Sequence, residues 1–348
     1  MSSRDERAAD WLEDIPRAVW DDAVATIRDA VNGGYSIVLA GHEYPDGDAL
    51  GSMLALHLFF RRYDGQTVAT FSGDPFQVPP QYTFLPGLET LTPPSEVDLT
   101  PDLLVALDTA SAERLGELAS LADDAGTVIV IDHHASSKEF GDIRLVAPNA
   151  AATVVIVEEL LDRLGATLDR ELAACLYVGL VTDTGRFQYA NTDRAAMELG
   201  SRLLETGIEH EAMSRQIFDS HSFGFLKVQA RVLDRATFLP SPSLVYSWVT
   251  QDDLDTLGVA VEETESLIDV LRTVETAEVA MVLKEDTDGS WRVSLRSKGS
   301  IDVGVLATEL GGGGHAFAAG FSSDASREDI VADVTARLDD TTPRAAAG

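Results

Sequence analysis

The chain has 348 residues, 45 % of them apolar, with a mean hydropathy of +0.01 and a formal charge of −32 from 58 acidic against 26 basic residues. That length and apolar share support two packed domains and leave out a disordered chain. They also leave out a spanning helix, because no apolar run approaches roughly 18 residues, and a protein that grips long nucleic acid through a basic surface.

The acidic residues are spread along the whole chain, and lysine occurs only at Lys138, Lys227, Lys284 and Lys298. A folded protein this acidic resembles proteins of salt-loving cells, where screening removes self-repulsion; the alternative is an ordinary acidic enzyme. The N-terminal stretch 1–14 is charged and lacks the apolar core of a secretory signal, so a cytoplasmic location is expected. The one cysteine, Cys175, excludes an intrachain disulfide. Its apolar surroundings favour a small core residue over a nucleophile.

In chain order, an amphipathic helix is predicted over 11–31, closed by Gly33-Gly34, then a short buried strand over 36–40 and a helix over 48–62. A strand over 67–71 leads into a proline-rich loop, 75–101, with a turn at Phe84-Leu85-Pro86-Gly87. Two further buried strands, 103–107 and 127–131, precede helices over 153–164, 169–181, 193–206 and 210–218. Fully apolar strands alternating with helices predict an α/β fold whose parallel sheet is covered on both faces.

A linker helix is predicted near 225–236, and Pro240-Ser241-Pro242 marks a boundary. The expected division is a metal-binding catalytic domain over 1–220, a linker over 221–240, a smaller α/β substrate-binding domain over 241–341 and a tail over 342–348. Within the smaller domain, strands are predicted over 244–249, 278–283 and 291–296, the last two joined by the turn 286–289. Helices are predicted over 251–257, 261–273, 303–310 and 327–338.

The first half places acids and histidines just past strand ends. His42, Asp46 and Asp48 follow the first strand, Asp108 follows the strand at 103–107, and Asp132, His133 and His134 follow the strand at 127–131. Asp183 ends an apolar helix. Taken singly, Pro45-Asp46-Gly47-Asp48 reads as a turn and an Asp after a strand as a helix cap. Gathered at the carboxyl edge of one parallel sheet, where ligands bind, they would repel one another and lose hydration unless cations neutralised them. The set is carboxylate and imidazole without thiolate, which suits Mn²⁺ or Mg²⁺. It is large enough for two ions about 3.5–4 Å apart, an arrangement that activates water and clamps a phosphoryl group.

These segments resemble the DHH phosphoesterase superfamily, which includes RecJ exonuclease, family II pyrophosphatase and the nanoRNase/pAp phosphatases. Its motifs match His42 through Ser52, Asp108-Thr109, Asp132-His133-His134 and Asp183 within Thr182 to Phe187. Tyr44 stands where the family often has Asn, a departure that touches no ligand. The resemblance implies one ion on His42, Asp46 and Asp108, and another on Asp48, Asp108, His133 and Asp183, with Asp108 bridging. It also implies that His134 faces the scissile phosphate and that Asp132 orients a histidine. Manganese is the implied ion, with magnesium as the alternative.

In the second half, Arg296-Ser297 and the run Gly311 to Gly314 before His315, with Ala318-Ala319-Gly320 beyond, resemble the DHH-associated substrate domain. Glycine lets backbone N–H groups approach an anion closely, and Arg can hold phosphate with two parallel donors. Arg296, Ser297, Gly312, Gly313, Gly314 and His315 are therefore the expected substrate-binding set, with Lys298 adding charge. The other readings are a flexible linker for the glycines and a surface ion pair for Arg296. The expected activity is hydrolysis of short oligonucleotides or 3′-phosphoadenosine 5′-phosphate (pAp), with short RNA or DNA oligonucleotides or small nucleotides as partners. A homodimer is allowed and no membrane is involved. Alternatives are a cyclic di-AMP phosphodiesterase, a RecJ-like single-strand exonuclease and, outside catalysis, a nucleotide-sensing binding protein.

Overall fold

The structure, a computed structural model, describes residues 10–63, 66–314 and 316–341. The substrate candidate His315 and the tail 342–348 lie outside the described residues. The chain divides into two compact units, Met1–Asp219 and Ser220–Gly348.

The first unit runs α1 (Arg17–Gly33), β1 (Ser36–Gly41), α2 (Gly47–Phe60), β2 (Gln66–Thr70), β3 (Leu103–Leu107), α3 (Ala119–Asp124), β4 (Thr127–Asp132), β5 (Ile143–Val146), α4 (Thr153–Leu164), α5 (Arg170–Asp183), α6 (Arg194–Glu205) and α7 (His210–Phe218). The five strands are all parallel, in the order β2-β1-β3-β4-β5. Alternate residues of each central strand enter separate cores. Ile37, Leu39, Leu103, Val105, Leu107, Ile129 and Ile131 face the larger core, while Val38, Ala40, Leu104, Ala106, Val128 and Val130 face the smaller. Burial of both faces explains why these strands carry no polar alternation.

Helix α1 starts at Arg17, later than the apolar pattern suggests, because Pro16 holds the preceding residues in a separate 3-10 turn, Asp10–Asp14. Its buried stripe is Trp20, Ala23, Ile27 and Ala30, and Gly34 closes it at a left-handed φ of 65°.

Helix α2 is buried along nearly its whole length and packs closely against α5. Gly51 makes that approach: a Cβ there would sit 2.4 Å from the Cys175 carbonyl oxygen. The buried thiol of Cys175 is pushed well above its ordinary value, chiefly by burial, which leaves it unreactive.

The second unit contains α8 (Phe223–Asp234), β6 (Thr237–Leu239), β7 (Leu244–Val249), α9 (Gln251–Leu257), α10 (Leu267–Leu271), β8 (Val279–Glu285), β9 (Trp291–Ser297), α11 (Val303–Glu309), β10 (Gly313–Gly314), β11 (Ala318–Ser323) and α12 (Arg327–Thr341). Its six strands are ordered β10-β11-β9-β8-β7-β6 and only β7–β8 is parallel. Helices α11 and α12 cover one face. On the other, Phe225, Val228 and Val232 of α8 pack with Val245, Ala280 and Val282, so this helix is part of the second unit's core. The helix expected over 261–273 is instead a 3-10 turn, Val261–Thr264, and the short α10. Among the described residues no helix is long and apolar enough to cross a membrane.

Candidate active site

The sheet order 2-1-3-4-5 reverses between β1 and β3, and ligands bind outside the carboxyl ends of strands at such a reversal. His42 follows β1 there and Asp108 follows β3, with His42 Nε2 3.7 Å from Asp108 Oδ2. Asp132 ends the neighbouring β4 and carries His133 and His134 past the sheet. Helix α2 brings Asp46 and Asp48, and the last residue of α5 is Asp183.

The structure gathers seven of the eight first-half candidates into overlapping clusters, and the eighth, Asp132, joins them through its hydrogen bond to His134. His42, Asp46 and Asp108 form one; Asp48, His133 and Asp183 form another; Asp108, His133 and His134 form a third, each with its ligand atoms within 4.8 Å of one another. Asp108 and His133 each belong to two of them. The cap reading of Asp46 also holds, since its Oδ1 accepts from the Asp48 and Ala49 backbone N–H groups at 2.9 and 3.1 Å.

The histidine tautomers follow from hydrogen bonding. His42 Nδ1 lies 2.8 Å from the Glu43 carbonyl oxygen and His133 Nδ1 3.2 Å from that of Ala150. A carbonyl oxygen only accepts, so each Nδ1 carries the hydrogen and each neutral ring presents Nε2 as its lone-pair nitrogen. Nε2 of His133 lies 3.0 Å from Asp183 Oδ2 and 3.7 Å from Asp48 Oδ2. That arrangement, a ring fixed by a carbonyl behind and carboxylates in front, suits a divalent cation. His134 differs: its Nδ1 donates to buried Asp132 Oδ1 at 2.6 Å, so Asp132 orients His134.

The electrostatics show a site built for added positive charge. Burial pushes the Asp108 carboxyl up to about 6, helped by the charge of Asp46 and opposed by His134, His133 and His42. Burial, with Asp108 and Asp183 nearby, pushes Asp48 well above the usual carboxylate range. Burial lowers the affinity of His133 and His42 for protons, but the carboxylates around them outweigh it and raise both. Burial also opposes ionisation of Asp132, yet His134 holds its carboxyl below the ordinary value. Asp108 sits at φ 53°, a left-handed backbone that a non-glycine residue adopts at some strain.

Several supporting groups are absent from the sequence reading. Thr153 Oγ1 donates to Asp108 Oδ1 at 2.8 Å. The Thr153 and Val154 N–H groups donate to Asp48 at 2.6 and 2.9 Å. Asn191 Nδ2 donates to the carbonyls of Ala151 and Asp183. A polar residue opening an otherwise apolar helix, as Thr153 does, was the available signal.

In the second unit, Arg296 lies opposite Ala318 in the β9–β11 ladder and donates to the Leu295 carbonyl at 3.0 Å, while its buried Nε has no hydrogen-bond partner among the described residues. Ser297 Oγ donates to Glu278 at 3.2 Å. Gly312 and Gly314 are packed against backbone, where a Cβ would come within 2.1 Å of the Gly320 oxygen and 2.5 Å of the Ala318 oxygen; at Gly313 a Cβ would meet nothing. Lys298 is committed to the carbonyls of Val274 and Glu275.

Two family models match the chain in order: the DHH family, N-terminal domain, over residues 36–180, and the DHHA1 domain over 242–340. The chain is 34 % identical over 298 residues to the bifunctional oligoribonuclease and PAP phosphatase NrnA of Thermus thermophilus, covering 85 % of this chain and 86 % of that protein. It is 27 % identical to the protein of the same name from Bacillus subtilis, over 82 % of this chain and 89 % of that one. Among solved structures, an exopolyphosphatase-related protein from Bacteroides fragilis superposes with a TM-score of 0.83 at 26 % identity, covering 94 % of this chain and 97 % of that one. RecJ of Thermus thermophilus in complex with Mn²⁺ shares the fold at a TM-score of 0.54 and 17 % identity, over 93 % of this chain and 55 % of that one. With its acids and histidines collected at the carboxyl edge of a parallel sheet and both family models matched in order, the chain belongs to the DHH family of hydrolytic phosphoesterases.

Proposed function

We propose that this protein hydrolyses short oligonucleotides and pAp with two divalent cations, Mn²⁺ in preference to Mg²⁺. The observation that carries the reading is the pair of histidine rings, His42 and His133, each tied by Nδ1 to a carbonyl and turning Nε2 toward carboxylates. His42, Asp46 and Asp108 would hold one ion; Asp48, Asp108, His133 and Asp183 would hold the other. When bound, such a pair lowers the pKa of water and neutralises phosphoryl charge.

The chain's own residues do the rest. Asp132 fixes the orientation of the His134 ring, which we assign to the scissile phosphate. Arg296 and Ser297, with the amides of Gly312, Gly313 and Gly314, are assigned to substrate phosphate, and at Gly313 the space beside the backbone is open. The substrate class rests on similarity to the two bifunctional relatives and on the charge of −32, which disfavours long polyanions. The same charge supports a protein adapted to high ionic strength, and the location we infer is cytoplasmic.

The test is direct. Purified protein is given MnCl₂ and, separately, pAp, RNA of two to five nucleotides, DNA of the same length and cyclic di-AMP. Turnover of pAp and short RNA, abolished by EDTA and restored by Mn²⁺, is expected. Turnover of cyclic di-AMP alone would favour the cyclic dinucleotide reading, and binding without hydrolysis of any substrate would favour a nucleotide sensor. Full activity of Asp108→Ala would sink the mechanism.

A further inference from the structure

Helix α4 opens without a side-chain cap of its own, because Ala152 stands at the capping position. The carboxylate of Asp48, from α2, takes that place. Both of its oxygens accept backbone N–H groups, Oδ2 from Thr153 and Oδ1 from Val154. An anion is favoured at a helix N-terminus by these free N–H groups and the helix dipole. The same residue that gives Asp48 an amide gives Asp108 a hydroxyl, at 2.8 Å and with both partners buried. The preceding turn supplies the Ala150 carbonyl to His133, and the Ala151 carbonyl joins Asp183 through Asn191. One short stretch of chain, 150–154, is thus bonded to Asp48, Asp108 and His133, and through Asn191 to the backbone of Asp183.

We propose that Thr153 is a positioning residue, whose hydroxyl sets the orientation of Asp108 so that its carboxylate serves both cation sites at once. The hydroxyl proton points at Oδ1, so the carboxylate plane is fixed before any ion arrives. Without that donor, Asp108 Oδ1 loses the hydroxyl that holds the carboxylate plane, and the two sites lose their shared ligand geometry. The proposal rests on the metal-centre reading above. It concerns a residue outside the acid and histidine motifs, and it makes no contact with substrate.

Thr153→Val tests it, because valine keeps the branched shape and both amides to Asp48 while deleting the hydroxyl. The measurement is Mn²⁺ binding by titration calorimetry with no substrate present, on protein first stripped with chelator and shown folded by circular dichroism. Loss of a group that orients a metal ligand typically weakens binding about 10–100-fold, and that range is expected here. Thr153→Ser, which restores the donor, should return Kd to the wild-type value. An unchanged Kd in Thr153→Val, or a weakened Kd in Thr153→Ser equal to that of the valine variant, overturns the proposal. If the valine variant fails to fold, Thr153→Ala takes its place; failure of both to fold would make the hydroxyl a structural requirement and also overturn it. Wild-type protein that takes up no Mn²⁺ would overturn the metal-centre reading itself, a result distinct from wild-type uptake with an indifferent Thr153.

Discussion

Replacing Asp108 by asparagine should stabilise the metal-free protein while destroying its response to metal. The carboxyl is buried and pushed from an ordinary 3.8 up to about 6. At 1.36 kcal/mol per unit, that shift corresponds to about 3 kcal/mol between the protonated and ionised forms in the fold. The direction follows from proton binding. Between the unfolded value of 3.8 and the folded value near 6, the folded state holds more protons than the unfolded one. The stabilising contribution is therefore full below about 3.8 and lost as pH rises through about 6. At pH 7.5 an ionised Asp108 weighs against the metal-free fold by the whole amount.

Asparagine has the same shape, stays neutral at every pH and tolerates the φ of 53° at this position. Its side-chain oxygen can still accept from Thr153 Oγ1. In EDTA at pH 7.5, Asp108→Asn should be more stable than wild type by about 3 kcal/mol. At roughly 2–4 °C per kcal/mol for a unit of this size, the melting temperature should rise roughly 6–12 °C. The gap should close toward pH 4, where both side chains are neutral. Saturating Mn²⁺ should reverse the order, because only wild type gains binding free energy. Thermal unfolding by circular dichroism at several pH values, with EDTA and with Mn²⁺, measures each term. A variant less stable than wild type in EDTA at pH 7.5, or a gap that does not change with pH, would refute the argument.

Gly179→Ala, normally a gain of about 1 kcal/mol inside a helix, should here destabilise, because the new Cβ would stand 2.5 Å from Val154 Cγ1 and 2.7 Å from Asp48 Oδ1. Overpacking of this kind costs roughly 1–3 kcal/mol, and denaturant titration should show the loss together with weaker Mn²⁺ uptake. Separately, the net charge of −32 predicts that structure is lost in dilute buffer and regained with KCl; a native circular dichroism spectrum in dilute buffer would remove the high-salt reading without touching the metal site.

The parts of the fold legible from sequence are those that residue type dictates. Strands β1, β3 and β4 are apolar through their centres because both sheet faces are covered, and the acids and histidines that follow them stand out by type, although Asp46 and Asp48 also cap helices. Edge elements were harder to see. Strand β5 is only Ile143–Val146 with Arg144 inside it, and β10 is Gly313–Gly314, which by composition reads as a loop. The 3-10 segment Ala112–Leu118 is broken at Gly116, whose φ of 61° belongs to no regular element. Glycines inside α2 and α5 read as weak points of a helix until the partner helix is placed against them.

What composition could not reveal is the wiring behind the ligands, and the reason is physical. Four of the donors and acceptors that orient Asp48, His133 and Asp183 are backbone groups: the N–H of Thr153 and Val154 and the carbonyls of Ala150 and Ala151. Any residue but proline supplies such an N–H, and every residue supplies the carbonyl. Their identity carries no signal; only their placement does. Placement comes from the turn between β5 and α4, which enters beside β4 through the Ala147 N–H to the Asp132 carbonyl at 3.0 Å. A motif can thus name the acids and histidines that cluster, whereas the hydrogen bonds that hold them in place come from two alanines, one valine, one threonine and one asparagine. Mutations in 147–154 should accordingly affect metal affinity more than their chemistry suggests, and those that alter only the outer face of α4 should not.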